Sequence, residues 1–70
     1  MRTIRQLRDE RDWTQQQLAD AVGAHWNSVA RWERGDVMPD RQSRKLIALA
    51  FGLTVDDVDF DSPAEGKDAA

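Results

Sequence analysis

Apolar residues recur along most of the chain at intervals of three and four, which is the spacing of a helix face buried against a core. The pattern does not show the alternation of period two that marks a half-buried strand. Successive segments carry the apolar pairs Ile4 and Leu7, Leu18 and Val22, and Val29 and Trp32. The hydrophobic pattern therefore predicts an all-α chain with no strands.

Capping signals set the expected helix boundaries. Thr3 with Gln6 and Thr14 with Gln17 form the T-x-x-Q pattern of a capping box, so helices are predicted to begin near residues 4 and 15. The first helix is expected to end around residue 12. The third helix is predicted over about 25–34 and stops at Gly35. The fourth is predicted to begin after residue 40 and to stop at Gly52, and a short fifth helix, capped by Thr54, is predicted over 55–58. The sum is a compact five-helix bundle.

The second and third predicted helices meet at a tight turn. Small Ala19 permits close approach of the third helix, and Gly23 suits the left-handed backbone of such a turn. Together with the apolar positions on both sides, this spacing describes a helix-turn-helix. A motif of this kind points to double-stranded DNA as the partner.

Charge divides the chain into two parts. Residues 1–53 hold nine Arg or Lys and seven Asp or Glu, a net charge of +2, whereas residues 54–70 hold one Lys and six acids, a net charge of −5. We predict a helix-turn-helix domain over 1–58 and an acidic, disordered tail over 59–70, because the tail has little to bury. The basic excess lies where DNA would bind.

Composition excludes several functional classes. The chain has no cysteine and one histidine, so thiolate or histidine metal sites and histidine-rich catalytic clusters cannot be built. We expect no enzyme activity, no metal and no cofactor. A long apolar run and a secretory leader are also missing, which predicts a cytoplasmic protein that does not enter membranes.

At this point the sequence resembles the Cro/C1-type (XRE-family) helix-turn-helix domains of phage repressors and small bacterial regulators. The resemblance covers residues 4–58. It rests on Leu7-Arg8 with Arg11, Thr14-Gln15, Leu18-Ala19, Val22-Gly23, Val29, Trp32-Glu33, Gly35, Pro39, Ile47-Ala48 and Gly52-Leu53. It implies a lambda repressor-like five-helix DNA-binding domain that binds operator DNA as a dimer, and an ion pair between Arg8 and Glu33.

In a helix-turn-helix the third helix enters the major groove with its N-terminal residues at the base edges. The predicted base-contacting residues are therefore Trp26, Asn27, Ser28 and Arg31. Asn27 is suited to two-point pairing with adenine and Arg31 with guanine. The alternative is a merely solvated polar face. For Trp26 the alternatives stay open: contact with a thymine methyl or sugar, packing inward on the core, or packing against a protein partner.

Phosphate contacts would orient the domain without reading sequence. Gln15 begins the second helix, where its amide and the helix N-terminus can both meet a phosphate, and the resemblance implies the same role. The predicted phosphate-contacting residues are Gln15, His25, Arg34, Arg41, Ser43 and Arg44, with Lys45 in the same cluster. An alternative for the charged ones is a solvated surface.

A single domain of this size reaches about one half-site, so specificity predicts a homodimer on a palindromic operator. A possible dimer interface is an apolar set toward the C-terminus, namely Leu46, Leu49, Val55, Val58 and Phe60. The predicted function is a DNA-binding transcriptional regulator, in the first place a repressor. The alternative is a protein-interaction module or an antitoxin that acts through a protein partner such as a toxin.

Overall fold

The computed structural model describes residues 1–60 of the chain. Within this range four α-helices lie between two short strands, and a single 3₁₀ turn precedes the second strand. The elements are β1 Arg2–Thr3, α1 Ile4–Glu10, α2 Gln15–Val22, α3 Trp26–Arg34, α4 Arg41–Ala50, the 3₁₀ turn Val55–Asp57 and β2 Val58–Asp59. Of the predicted acidic tail over 59–70, Asp59 lies in β2 and residues 61–70 lie outside the described residues.

Both threonine capping boxes form where the sequence predicts them. The Thr3 hydroxyl accepts a hydrogen bond from the backbone N–H of Gln6 at 3.2 Å, and the Gln6 side chain accepts one from the Thr3 N–H at 2.9 Å. Thr14 and Gln17 make the same exchange at 3.1 and 2.8 Å. These bonds satisfy donors that a helix start leaves free. The predicted starts of the first two helices are confirmed.

The turn between α2 and α3 also forms as predicted. Gly23 has φ +71°, in the left-handed region that a residue without a Cβ adopts at little cost. The next N–H, of Ala24, donates to the Ala19 carbonyl at 2.9 Å and closes the end of α2. Ala19 is fully buried, so α3 packs against a position with almost no side chain.

The prediction of a fifth α-helix and of no strands is wrong. The segment after Thr54 makes only a 3₁₀ turn, and Val58 then has an extended backbone. β2 pairs in parallel with β1, with Arg2 opposite Val58 and Thr3 opposite Asp59. A three-residue segment offers too few hydrogen bonds to offset helix nucleation, whereas pairing with β1 satisfies backbone groups of both short segments.

α1 is shorter than predicted. It ends at Glu10, and Asp12 has φ +56°, a conformation that aspartate tolerates better than most residues. This turn lets the Trp13 N–H donate to the Arg8 carbonyl at 3.0 Å. The indole then lies against Phe51, with ring centroids 5.4 Å apart, so Trp13 packs on the core as expected.

The core draws on every helix and on β2. Leu18, Ala19, Val29 and Ile47 are completely buried. The whole cluster comprises Ile4, Leu7, Leu18, Ala19, Val22, Val29, Trp32, Ile47, Ala48, Phe51 and Val58. Val29 and Trp32, the two inward positions predicted on the third helix, both belong to it. This packing fixes which face of α3 points away from the domain.

Candidate nucleic-acid interface

α3 has one buried face and one exposed face. Its buried residues are Val29, Ala30, Trp32 and Glu33. Among the predicted base-contacting residues, Trp26, Asn27 and Arg31 are exposed and Ser28 is half-buried. Because residues four apart lie on the same side of a helix, the Asn27 and Arg31 side chains share the exposed face. Both can reach a ligand without any change in the core.

His25 occupies the N-cap position of α3. Its Nδ1 accepts a hydrogen bond from the backbone N–H of Asn27 at 3.1 Å. Imidazole thus does here what a Ser or Thr hydroxyl does at many helix starts. Since Nδ1 is the acceptor, the ring proton lies on Nε2 in this arrangement, and Nε2–H is the donor that His25 can offer to a phosphate.

Trp26 is half-exposed and is not part of the hydrophobic core. Its side chain is 47% exposed, and its ring lies beside that of His25 with centroids 5.7 Å apart. Trp26 also lines a cleft of about 310 Å³ together with Thr14, Gln15 and Gln16. The indole therefore lies between the start of α3 and the start of α2.

The predicted pair of Arg8 and Glu33 meets in two parallel hydrogen bonds. Arg8 Nε donates to Glu33 Oε2 at 2.7 Å and Arg8 Nη2 to Oε1 at 3.1 Å. The two side chains are 12% and 4% exposed, and Arg8 Nη1 also donates to the Trp13 carbonyl at 2.7 Å. The hydrogen bonds to Glu33 raise the pKa of the Arg8 guanidinium above its ordinary value, so Arg8 stays positively charged.

Gln15 is joined to this ion pair. Its Nε2 donates to Glu33 Oε1 at 3.1 Å, a contact that sequence reasoning did not predict. An ionised carboxylate only accepts hydrogen bonds, so it orients the Gln15 amide with its nitrogen toward Glu33. The second N–H and the amide oxygen are left for another partner at the N-terminus of α2.

A second polar cluster lies around α4. Arg41, Arg44 and Lys45 line one groove of about 520 Å³ together with Val55. Ser43 uses its backbone N–H to donate to Asp40 Oδ1 at 2.8 Å, which caps the helix. Arg34, predicted for the same cluster, pairs with Asp36 at 3.0 Å on the surface. Of the predicted cluster, Arg41 and Arg44 therefore share one groove, whereas Arg34 lies in an ion pair with Asp36.

The predicted dimer residues separate into three groups. Leu49 is 73% exposed and Leu46 is 38% exposed, so both can contact a second molecule. Val55 and Phe60 are half-buried against the core. Val58, at 3% exposure, is a core residue and not an interface residue. Its pairing in β2 turns it inward, which a helical prediction for this segment could not anticipate.

Arg11 contributes a structural contact that the sequence did not reveal. Its Nη2 donates to the Phe51 carbonyl at 2.8 Å, at the C-terminal end of α4. Its guanidinium also lies 5.2 Å from the Phe51 ring and 5.8 Å from the Trp13 ring. A cation at a helix C-terminus and over aromatic rings is favourable on both counts. Arg11 thus ties α1 to α4 behind the site.

Two further properties concern only residues 1–60. None of the helices there has the length and apolar composition that a membrane span requires. No three His, Cys, Asp or Glu side chains in this range are grouped so that they could hold a metal ion.

The sequence model described as "Helix-turn-helix" matches residues 4–58. The chain therefore belongs to the XRE (Cro/C1-type) helix-turn-helix family, as the resemblance implied. The match begins at the first residue of α1 and ends at Val58, so it contains all four α-helices and both clusters described above.

Two curated proteins are similar to this chain. The HTH-type transcriptional activator BcrR of Enterococcus faecalis is 33% identical over 55 residues, which are 79% of this chain and 27% of that protein. The cryptic phage CTXphi transcriptional repressor RstR of Vibrio cholerae is 30% identical over 59 residues, 84% of this chain and 53% of that protein. The chain thus spans about a quarter and about half of their lengths. No solved structure gives a significant match.

Proposed function

We propose that this chain is a sequence-specific DNA-binding transcriptional regulator whose α3 reads the major groove. The observation that carries the proposal is the division of α3 into a core face and an exposed face that presents Asn27 and Arg31. These are the side chains suited to two-point pairing with adenine and guanine. Gln15, beside the same face, supplies a phosphate contact, as does the Nε2–H of His25.

Repression is the mode that we propose. The relative described as a repressor shares 53% of its own length with this chain, whereas the relative described as an activator shares 27%. An activator needs a surface for the transcription machinery in addition to its DNA-binding domain. A repressor needs only to occupy its operator, which a domain of this kind can do.

The groove of Arg41, Arg44 and Lys45 extends the proposed contact to the DNA backbone. Three cations there offset the overall net charge of −3 where phosphates would approach. Each cation that neutralises a phosphate releases a counterion and steepens the salt dependence of binding. Replacing Arg41 and Arg44 with Ala should therefore weaken binding to all duplexes alike and flatten that dependence.

Fluorescence anisotropy tests the function directly. The wild type is titrated with random duplex DNA across a salt series, and then with sites selected from a randomised pool. We expect salt-dependent binding and selection of one site, with the preference lost in the double variant Asn27→Ala, Arg31→Ala. Arg5→Ala is the matched control, because it removes an exposed arginine from α1.

The two possible failures have different meanings. Binding that selects no site would contradict sequence reading through α3. Folded protein that binds no duplex even at low salt would contradict the DNA-binding proposal altogether. The alternative, a module or antitoxin that acts on a protein partner, would then take first place, because Trp26 and Leu49 present large apolar side chains to such a partner.

A palindromic operator requires two copies of α3 about 34 to 36 Å apart. We propose that a symmetric homodimer provides them through the exposed Leu46 and Leu49 of α4, extended by Val55 and Phe60. Sedimentation equilibrium without DNA should show a dimer for the wild type and a monomer for Leu49→Asp. Gln42→Asp, also exposed on α4, is the matched control. A monomeric wild type at high micromolar concentration would contradict the interface.

A further inference from the structure

Trp26 combines unusual exposure with a defined position. It is the first residue of α3, and the residue is about half exposed to solvent. By contrast, Trp32 is buried in the core and Trp13 is half-buried against Phe51. Because Trp26 is not part of the core, its place at the N-terminus of α3, the end proposed to contact bases, suits a role in binding a ligand.

The hydrogen-bonding capacity of Trp26 is also unused. The only polar group of its side chain is the indole N–H, which has no hydrogen-bond partner among residues 1–60. The neighbouring amides each make one hydrogen bond, to a residue other than Trp26: Gln15 donates to Glu33, and Gln16 donates to Asp20 at 2.8 Å. Trp26 therefore presents two features at once, a free donor and an apolar ring edge.

The chemistry of the base edges decides which base fits this pair of features. In the major groove, guanine and adenine offer acceptors but no methyl group, and cytosine offers a donor. Thymine alone carries an acceptor, O4, beside a C5-methyl group. A donor attached to an apolar ring is complementary to that combination.

We propose that Trp26 reads a thymine, with its ring against the C5-methyl group and its N–H donating to O4. This inference rests on the DNA-binding function proposed above. Thr14, Gln15 and Gln16 form the other wall of the cleft. They carry hydroxyl and amide groups and no carboxylate, so the strand that bears this thymine meets no charge repulsion from the lining of the cleft.

Single-atom changes in the DNA test the methyl contact. In the operator selected by the wild type, each thymidine is replaced in turn by deoxyuridine, which lacks only the methyl group. We expect one thymine per half-site whose replacement weakens wild-type binding about fourfold, the effect of one buried methyl group. Trp26→Ala should bind the unmodified operator more weakly and be insensitive to deoxyuridine at that position.

A second comparison tests the donor. Trp26→Phe keeps an aromatic ring and lacks the N–H, so it should retain the sensitivity to deoxyuridine. Replacing the same base pair by 5-methylcytosine and guanine keeps the methyl group but exchanges the O4 acceptor for an amino donor. This should weaken the wild type about tenfold more than Trp26→Phe, because only the wild type loses a hydrogen bond. Circular dichroism checks that both variants are folded.

The outcomes distinguish a failure of the thymine contact from a failure of the proposed DNA-binding function. If the wild type selects an operator but deoxyuridine affects wild type and Trp26→Ala equally at every position, the thymine contact is wrong and the DNA-binding function stands. The ring would then be free for a protein partner. If the wild type binds no duplex, both the thymine contact and the proposed function are overturned.

Discussion

The polar side chains on the two faces of α3 differ in their role: those on the inner face stabilise the fold, and those on the outer face are exposed to solvent. On the inner face, Glu33 is almost completely buried and accepts three hydrogen bonds, two from Arg8 and one from Gln15. On the outer face Asn27 and Arg31 are exposed. The same helix thus carries one charged side chain that stabilises the fold and two polar side chains, Asn27 and Arg31, that lie outside the core.

The contrast is sharpest between neighbours in the sequence. Glu33 meets Arg8 in two parallel hydrogen bonds within a low-dielectric interior, whereas Arg34 meets Asp36 on the surface, where water and salt screen the pair. Both are ion pairs of similar length. Burial, and not distance, decides which of them the domain depends on.

Removing the buried carboxylate should have the largest effect. Glu33→Ala removes the carboxylate that forms two hydrogen bonds with the largely buried Arg8, so we expect the free energy of unfolding to fall by about 3 to 5 kcal/mol. Urea denaturation followed by circular dichroism measures it. Asp36→Ala, which breaks the surface pair, is the matched control and should change stability by less than about 1 kcal/mol. Equal effects of the two variants would refute the contrast.

The outer face should show the reverse behaviour. Arg31→Ala should leave the free energy of unfolding within about 0.5 kcal/mol of the wild type, because it alters an exposed side chain. The same variant should lose about 1 to 3 kcal/mol of discrimination at one base pair of the selected operator. Denaturation and binding are measured on one preparation. A large loss of stability would mean that Arg31 supports the fold and would remove it from the reading face.

The helix-turn-helix was predictable because capping, turn geometry and helical spacing depend on residues that are close in the sequence. The Thr14 capping box, Gly23 at the turn and the inward spacing of Val29 and Trp32 depend on residues close in the sequence. The Arg8 and Glu33 pair came from the family resemblance, since residues that far apart have no local signal. The exposed Asn27 and Arg31 followed once the inward positions were fixed.

The errors came from contacts between distant segments. Thr54 predicts the cap of a short fifth helix over 55–58, yet Val58 pairs with Arg2, far away in the sequence. Arg11 reaches the Phe51 carbonyl 40 residues away, and Gln15 reaches Glu33 18 residues away. Neither helical periodicity nor capping encodes such partners, so tertiary packing determined them.

Gln15 connects the two faces and should give an intermediate effect. Gln15→Ala removes one of three hydrogen bonds to Glu33 while Arg8 still holds the carboxylate, so we expect a loss of about 1 kcal/mol in stability. It should also weaken binding to all duplexes without changing the salt dependence, because a neutral amide releases no counterion. Gln16→Ala, the neighbour that bonds Asp20 at the surface, is the control. A change in stability no larger than that of the control would show that the bond to Glu33 is unimportant.

The smallest effect is expected from a carboxylate that is fully exposed. Hydrogen bonds from Ser43, first from its backbone N–H and then from its side chain, hold the pKa of Asp40 below its ordinary value of 3.8. A lowered folded-state pKa stabilises the domain above that ordinary value, and the contribution is lost as pH falls through the folded-state pKa. Asp40→Asn keeps an N-cap oxygen but does not titrate, so its unfolding free energy should fall less steeply below about pH 4.

This comparison separates the exposed charge from the buried one. Urea denaturation at pH 7 and through the acid range measures both the stability and its slope for the wild type and Asp40→Asn. Because the amide still caps α4, the free energies of unfolding of the two proteins should be similar at pH 7. Their dependence on pH should also be the same there. Glu33→Ala, in contrast, should be destabilised already at pH 7, where Glu33 pairs with a guanidinium that stays charged. A steeper acid dependence in Asp40→Asn than in the wild type would show that the cap bond does not lower the pKa of Asp40.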